Sequence, residues 1–292
     1  MAAARESRTR ECAAQGRHGH RADRAGRGKG CMTLWQGILL GLVQGLTEFL
    51  PVSSDGHLAV IGHVAGVHTP GIFVEVALHV ATLGSILVVY GARFWRLAVG
   101  VVRRQPDALR YAGLLIIGMI PAGLVGVFLE HQIERAFESL WAAGIGFLVT
   151  GLLLWSTKKL SPEGAMQPTP KGALIIGLAQ AFAPLPGVSR SGTTIASGLW
   201  VGLGAVAAAD FSFLMAIPLI AGAGLFEARH ASVDIAQVGG VPLLVGCLVA
   251  FLSGVFAIRF LVAMLRRGRF FAFAPYCFAI GLFTLAYALW HG

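Results

Sequence analysis

Six stretches of this chain, residues 72–91, 111–130, 139–156, 206–226, 240–261 and 271–290, are apolar over lengths that suit a bilayer-spanning helix, about 20 residues each. In hydrocarbon a backbone has no water to bond, so each such stretch must satisfy its amides and carbonyls internally, as a helix does. Composition agrees: 56% of residues are hydrophobic and 13% charged, with a mean hydropathy of +0.73, which marks an integral membrane protein. No segment is long and polar enough to form a separate soluble domain. The net charge of +9 does not argue for nucleic acid, because eight of the 23 basic residues lie in residues 1–31. Cys12, Cys31, Cys247 and Cys277 show no metal-type spacing.

Two further apolar regions, about 34–63 and 172–202, do not read as simple spans. Each is interrupted near its middle by Pro, Gly, Ser and a charge. Backbone groups freed there would lack partners in lipid, so each is expected to be a re-entrant hairpin of two half-helices. The two regions also match. A shift of 136 positions lays GLVQGLTEFLPVSSDG (41–56) on GLAQAFAPLPGVSRSG (177–192) without a gap, with identities at Gly, Leu, Gln, Val, Ser and Gly. Three spans follow each hairpin. Three is odd, so the second copy enters from the opposite side, and the expected fold is an all-α polytopic membrane protein with six transmembrane helices and two re-entrant hairpins in an inverted repeat. Repeat one covers about 32–158 and repeat two about 171–292, within one catalytic membrane domain, 32–292.

Basic residues set the orientation. Arg93, Arg96, Arg103, Arg104 and Arg110 lie between the first two spans, Lys158, Lys159 and Lys171 between the third and fourth, and Arg266, Arg267 and Arg269 between the last two. The alternate loops hold only Arg135 and Arg229. By the positive-inside rule the rich loops are cytoplasmic, both termini are outside, and the first hairpin opens outward. The basic segment 1–31 would then have to cross the membrane. It is expected to be a disordered extension and, with MTLWQGILLGL beginning at Met32, one that need not be native; a tail that truly crosses is the alternative.

The chemistry-bearing residues gather at the two breaks. The first carries Glu48, Ser53, Ser54, Asp55 and His57; the second carries Ser189, Arg190, Ser191, Thr193 and Thr194. Ionisable groups at membrane depth are costly and mark substrate or ion paths. Carboxylates, an arginine, hydroxyls and half-helix N-termini suit phosphate with a divalent cation: the guanidinium reads phosphate oxygens, carboxylates hold a hard cation, and free amides receive an anion.

QGLTEFLPVSSDGH, with VALHVATLGSI and PGVSRSGTT downstream, resembles the undecaprenyl-diphosphate phosphatase (bacitracin-resistance) family over nearly all of residues 32–292. The resemblance implies a bacterial inner-membrane hydrolase that converts undecaprenyl diphosphate to undecaprenyl phosphate and inorganic phosphate, recycling the lipid carrier of cell-wall synthesis. It further implies a divalent cation, Mg2+ or Ca2+, an active site open to the periplasm, and a homodimer. Residue by residue, the family's acidic motif falls on Gln44 and Glu48, its serine pair on Ser53 and Ser54, its histidine on His57, and its basic motif on Ser189, Arg190, Ser191 and Thr194. Gln44 stands where many relatives have Glu and Asp55 where many have Thr, so Asp55 is expected to supply the charge that Gln44 lacks.

The expected mechanism has Arg190 and the amides from Ser189 to Gly192 holding the diphosphate, with Glu48 and the cation neutralising developing charge. Ser54 attacks phosphorus or orients a water, and His57, three residues on, is the base or itself the nucleophile. Ser53 is read as an N-cap as readily as a ligand. Ser191, Thr193 and Thr194 are also read as packing hydroxyls, and Glu75, His79 and Asp210 as structural pairs more than as site residues. A transporter of the polyprenyl carrier without hydrolysis is the alternative, because broken hairpins in inverted repeats are a transporter signature.

Overall fold

The computed structural model describes residues 32–65, 72–137, 139–227 and 239–291. The segment 1–31 and Arg229 lie outside the described residues. The described chain is helical: α1 (Leu34–Phe49), α2 (Ser54–Ala65), α3 (Ile72–Val102), α4 (Pro106–Phe128), α5 (Glu130–Phe137), α6 (Leu140–Ser156), α7 (Pro170–Gln180), α8 (Arg190–Trp200), α9 (Ala205–Glu227), α10 (Gly240–Arg266) and α11 (Ala274–His291). Among the described residues six helical stretches are long and apolar enough to cross a membrane: Phe73–Val102, Pro106–Phe128, Leu140–Lys159, Ala205–Gly222, Gly240–Arg266 and Phe270–His291. Each coincides with one of the six stretches read from the sequence. Large apolar side chains such as Val102, Val127, Phe128, Leu244 and Leu289 stand exposed on them, as lipid-facing residues do. The chain is a multi-pass membrane protein.

Local chemistry sets where these helices start. Thr33 and Gln36 form a capping box at α1, with Thr33 Oγ1 accepting from the Gln36 amide at 3.2 Å and Gln36 Oε1 accepting from the Thr33 amide at 2.8 Å. Thr169 caps α7, whose first residue is Pro170, the position where a missing amide costs nothing. The first span runs farther than its apolar stretch suggested. Arg93 and Arg96, read as loop residues, belong to α3, because nothing in YGARFWRLAVGVV breaks a helix before Arg103.

The helices of one half pack on those of the other. α1 lies against α10, and α7 lies against α4, so each inbound half-helix rests on the middle span of the opposite half. Glycine makes both approaches possible. A Cβ at Gly41 would sit 2.1 Å from the carbonyl oxygen of Gly246, and one at Gly177, its repeat counterpart, 2.6 Å from that of Gly118. The central span is α9: its apolar residues run all the way round, and 72% of its membrane window is buried against 28–44% for the other five. Phe211, Phe213 and Met215 of α9 fill the core, with Phe213 edge-on to Phe49 at 5.8 Å.

Candidate active site

Both interrupted regions form helix, break and helix, and the two breaks touch. A Cβ on Gly56 would lie 2.8 Å from the Gly187 Cα, which is why that position is glycine. The breaks leave backbone groups that no helix satisfies, and side chains from elsewhere take them up. Ser191 Oγ donates to the Leu50 carbonyl at 3.2 Å, and Thr150 Oγ1 donates to the Gly187 carbonyl at 2.9 Å while accepting from the Ser189 amide at 3.0 Å. His57 Nδ1 lies 2.7 Å from the Ser53 carbonyl. Ser53 itself sits in the left-handed region, φ 64°, a conformation that costs a residue with a Cβ about 1–2 kcal/mol. Strain held this way beside charged groups is a mark of function.

The two half-helices that leave the breaks, α2 and α8, begin at the same place. Ser53 Oγ accepts from the Gly56 amide at 3.3 Å and Ser189 Oγ from the Gly192 amide at 3.0 Å, so both serines are N-caps as well as lining residues of one cavity. The amides of Ser54, Asp55, Arg190 and Ser191 make no hydrogen bond among the described residues. Two helix N-termini therefore converge with their positive ends toward the same space.

Glu48, near the end of α1, organises that space. Arg190 Nη2 donates to its Oε1 at 2.5 Å across 142 residues of chain. Ser54 Oγ donates to its Oε2 at 2.8 Å, Gln44 Nε2 donates to the same oxygen at 3.1 Å, and His79 Nε2 lies 3.3 Å from it. Asp55 Oδ1 lies 3.9 Å from the same imidazole nitrogen. Glu48 is 6% exposed in its side chain and Arg190 18%, so both ions are desolvated and held mainly by each other. The cavity in front of them has a volume of about 230 Å³. Its polar wall is Thr47, Glu48, Ser53, Ser54, Asp55, His79, Gln180, Ser189 and Arg190; its apolar wall is built from Ala122, Ala183, Pro184, Val188, Leu219 and Ile220. Two buried polar atoms of the wall residues lack a partner, Arg190 Nη1 and Gln180 Oε1. One charged surface and one apolar surface in a single cavity suit an amphiphile with an anionic head.

Of the residues singled out from the sequence, Glu48, Ser53, Ser54, Asp55, Ser189 and Arg190 come together here. The others stand differently. Gln44 is wholly buried behind Glu48, with its Oε1 unpartnered. Ser191, Gly192 and Thr194 are buried outside the lining; Ser191 secures the Leu50 carbonyl, and Thr194 Oγ1 bonds the Arg190 carbonyl at 2.7 Å and Ser212 Oγ at 2.7 Å. Their hydroxyls brace the break instead of facing the cavity. His57, expected on the face of Ser54, turns the other way. Its Nε2 meets the Tyr276 hydroxyl at 2.6 Å and its ring stacks on Tyr276 and meets Phe147 edge-on. His79, weighed as a structural pair, is the imidazole that reaches Glu48 and Asp55. The signal was present in VEVALHVATL, where Glu75 and His79 sit one turn apart on a span; what was missing was the direction of α3 past the break. Thr150 was missed altogether, a single hydroxyl in the apolar run GFLVTGLLLW. Asp210 matches its structural reading, paired with Arg93.

Fold and cavity together define a class: a polytopic helical membrane protein with a charged cavity, walled on one side by apolar residues, where two helix breaks meet. The family model described as Bacitracin resistance protein BacA matches residues 37–283, and the chain belongs to that family. It is 42% identical over 271 residues to an undecaprenyl-diphosphatase of Desulfosudis oleivorans, covering 86% of this chain and 97% of that protein. Over 260 residues it is 37% identical to an undecaprenyl-diphosphatase of Halothermothrix orenii, covering 88% and 99% of the two chains. It is 38% identical, also over 260 residues, to an undecaprenyl-diphosphatase of Bacteroides fragilis, covering 87% and 98%.

Proposed function

We propose that the chain hydrolyses undecaprenyl diphosphate to undecaprenyl phosphate and inorganic phosphate in this cavity, returning the lipid carrier to cell-wall synthesis and so conferring bacitracin resistance. The observation that carries the reading is the meeting of Glu48, Ser54 and Arg190 from two breaks in a member of this family. The relatives' names support hydrolysis, and a transporter without hydrolysis is not favoured. Arg190 Nη1 and the open amides of α2 and α8 are the donors for the diphosphate oxygens. The apolar wall receives the first part of the prenyl chain.

Ser54 Oγ holds its proton toward Glu48 Oε2, which leaves its lone pairs for the terminal phosphorus or for a proton of the attacking water. In either route the P–O bond to the bridging oxygen breaks and the leaving lipid phosphate takes the electron pair under the charge of Arg190; where Ser54 itself attacks, its proton passes to Glu48 and water then hydrolyses the phosphoserine to release inorganic phosphate. Trapping phosphorylated Ser54 by mass spectrometry distinguishes nucleophile from water holder. His79, whose Nδ1–H donates to the Glu75 carbonyl at 2.8 Å, turns Nε2–H toward the carboxylates, so the ring is held as an imidazolium positioned to give up a proton. His79→Ala is expected to lower phosphate release about a hundredfold. His57→Ala is expected to act through the Ser53 turn, so that Tyr276→Phe reproduces part of its loss and none of that of His79→Ala.

Charge balance supports a divalent cation. Glu48 already offsets Arg190, and Asp55 faces His79, so the cavity has no surplus positive charge for a multiply charged anion. Among the described residues no three His, Cys, Asp or Glu cluster as a complete ligand set. Asp55 and Glu48 are the two carboxylates that would hold a hard cation, the substrate phosphates supplying its other oxygens. Bound there, the cation supplies charge neutralisation for the leaving phosphate. Chelation is expected to abolish release from purified protein, and Asp55→Asn to raise the cation concentration needed for half activity by about tenfold. If Asp55→Asn leaves that concentration unchanged, Asp55 is no ligand.

The inverted repeat and the re-entrant hairpins are supported by the reciprocal packing of α1 on α10 and α7 on α4. The arginine-rich ends of α3 and α10 support a cytoplasmic side there and a periplasm-facing cavity in a bacterial inner membrane. The family resemblance adds a homodimer, which cross-linking in native membranes tests.

A further inference from the structure

A second charged cavity lies elsewhere in the protein, between α3, α9 and α10, with a volume of about 480 Å³. Four arginines line it: Arg93 and Arg96 from α3, Arg259 and Arg266 from α10. The 14 residues that separate Arg93 from His79 on α3 put it about 21 Å along the helix from the catalytic cavity. The spacing is regular for a helical face. Arg259 and Arg266 are seven apart, two turns of α10, and Arg93 and Arg96 are three apart on α3.

The charges are not balanced within the protein. Asp210 is the one carboxylate on the lining, its side chain 3% exposed, and it is committed to Arg93. Arg96, Arg259 and Arg266 are exposed and form no hydrogen bond or ion pair among the described residues. Arg259 is the hardest to explain as an ordinary cytoplasmic charge. It lies about two turns inside the end of an apolar span, where an unpaired cation is costly unless an anion meets it. Apart from Tyr90, whose hydroxyl bonds Asp210, the rest of the lining is apolar, Val89 and Val262 among it, so the cleft has a wall for hydrocarbon beside its donors.

We propose that this cleft is a second phosphate site, which binds the headgroup of an anionic lipid on the arginine-rich side of the membrane while the lipid's chain lies along α3 and α10. Guanidinium groups from two helices converge on the phosphate oxygens, and the buried Asp210 holds Arg93 upright at the floor. The proposal does not depend on the catalytic reading, because none of these residues lines the other cavity.

The test uses the full chain in nanodiscs, with native mass spectrometry counting retained lipid. Polyprenyl monophosphate, phosphatidylglycerol and phosphatidylcholine are the probes, against wild type, Arg259→Gln/Arg266→Gln and Arg259→Lys/Arg266→Lys. Wild type is expected to retain the anionic probes at least tenfold over phosphatidylcholine. The glutamine pair loses that preference, the lysine pair keeps most of it, and phosphate release from diphosphate substrate stays at the wild-type level in both, which shows them folded. Preference for polyprenyl monophosphate over phosphatidylglycerol assigns the site to the reaction product; equal retention assigns it to bulk anionic lipid, and both outcomes support the site. Equal retention of anionic lipid by wild type and the glutamine pair overturns it, as does wild type with no anionic preference.

Discussion

Arg190→Ala is expected to lower phosphate release from undecaprenyl diphosphate by about three orders of magnitude, the upper range for loss of one preorganised donor to a developing anion. Two effects combine. The substitution removes Nη1, the unpartnered buried donor beside the cavity, and it strips Glu48 of its 2.5 Å partner. A carboxylate that is 6% exposed and left to His79, Ser54 and Gln44 without its guanidinium destabilises the folded site by up to about 3–5 kcal/mol, or takes up a proton and stops accepting from Ser54. Arg190→Lys therefore recovers little: an ammonium can satisfy Glu48 or the phosphate, but its point charge cannot reach both as a planar fork does. Phosphate release by the purified variants, with thermal unfolding in detergent as the control for folding, checks this. Arg190→Ala within tenfold of wild type would sink the assignment of Arg190.

Gly41→Val is expected to destroy the folded protein, and Gly41→Ala to cost at least the 1–3 kcal/mol typical of overpacking, with about a hundredfold loss of phosphate release. A Cβ there stands 2.1 Å from the Gly246 carbonyl oxygen and 2.9 Å from its carbonyl carbon. Both obstacles are backbone of α10, so no side chain can rotate aside, and α1 must move as a unit. Glu48 lies seven residues farther along α1, so the movement reaches the site, where misplacement by about 1 Å carries a penalty of that size. Gly177→Ala, against the Gly118 backbone at 2.6 Å, is expected to behave the same way on the arginine side. Gly113→Ala is the control, because its Cβ would meet nothing within 4 Å. Size-exclusion profiles of membrane extracts and phosphate release measure both; a monodisperse, fully active Gly41→Val would refute the close packing.

The span count was readable in the chain because hydrocarbon imposes one rule on every residue that crosses it. The breaks were readable for the same reason inverted: Pro51, Ser53 and Asp55 cannot continue an apolar helix, so their presence signals that something else receives them. Charge type was legible too. Glu48 and Arg190 have too high a desolvation cost to stand alone, but they are not repeat counterparts, since the shift sets Glu48 on Pro184 and Ser54 on Arg190, and the sequence left Glu48 and Asp55 both open as partners of Arg190. The two histidines show where this reasoning stops. His57 is three residues from Ser54, yet Ser53 takes a positive φ and the turn it makes sends the imidazole to Tyr276 on α11. His79 is distant in sequence and sits in a span, yet the crossing of α3 behind the break delivers it to Glu48.

Apolar span length and the cost of charge in lipid were thus determined by the sequence alone: six spans, two breaks, and charged groups at the breaks that must meet opposite charges. Only the tertiary structure decided which side chains reach that meeting point and which turn away to brace the backbone. Periodicity along one helix says nothing of its rotation against another. That rotation is set here by glycine contacts between the two halves, of which Gly41 on Gly246 and Gly177 on Gly118 are the tightest pair related by the repeat.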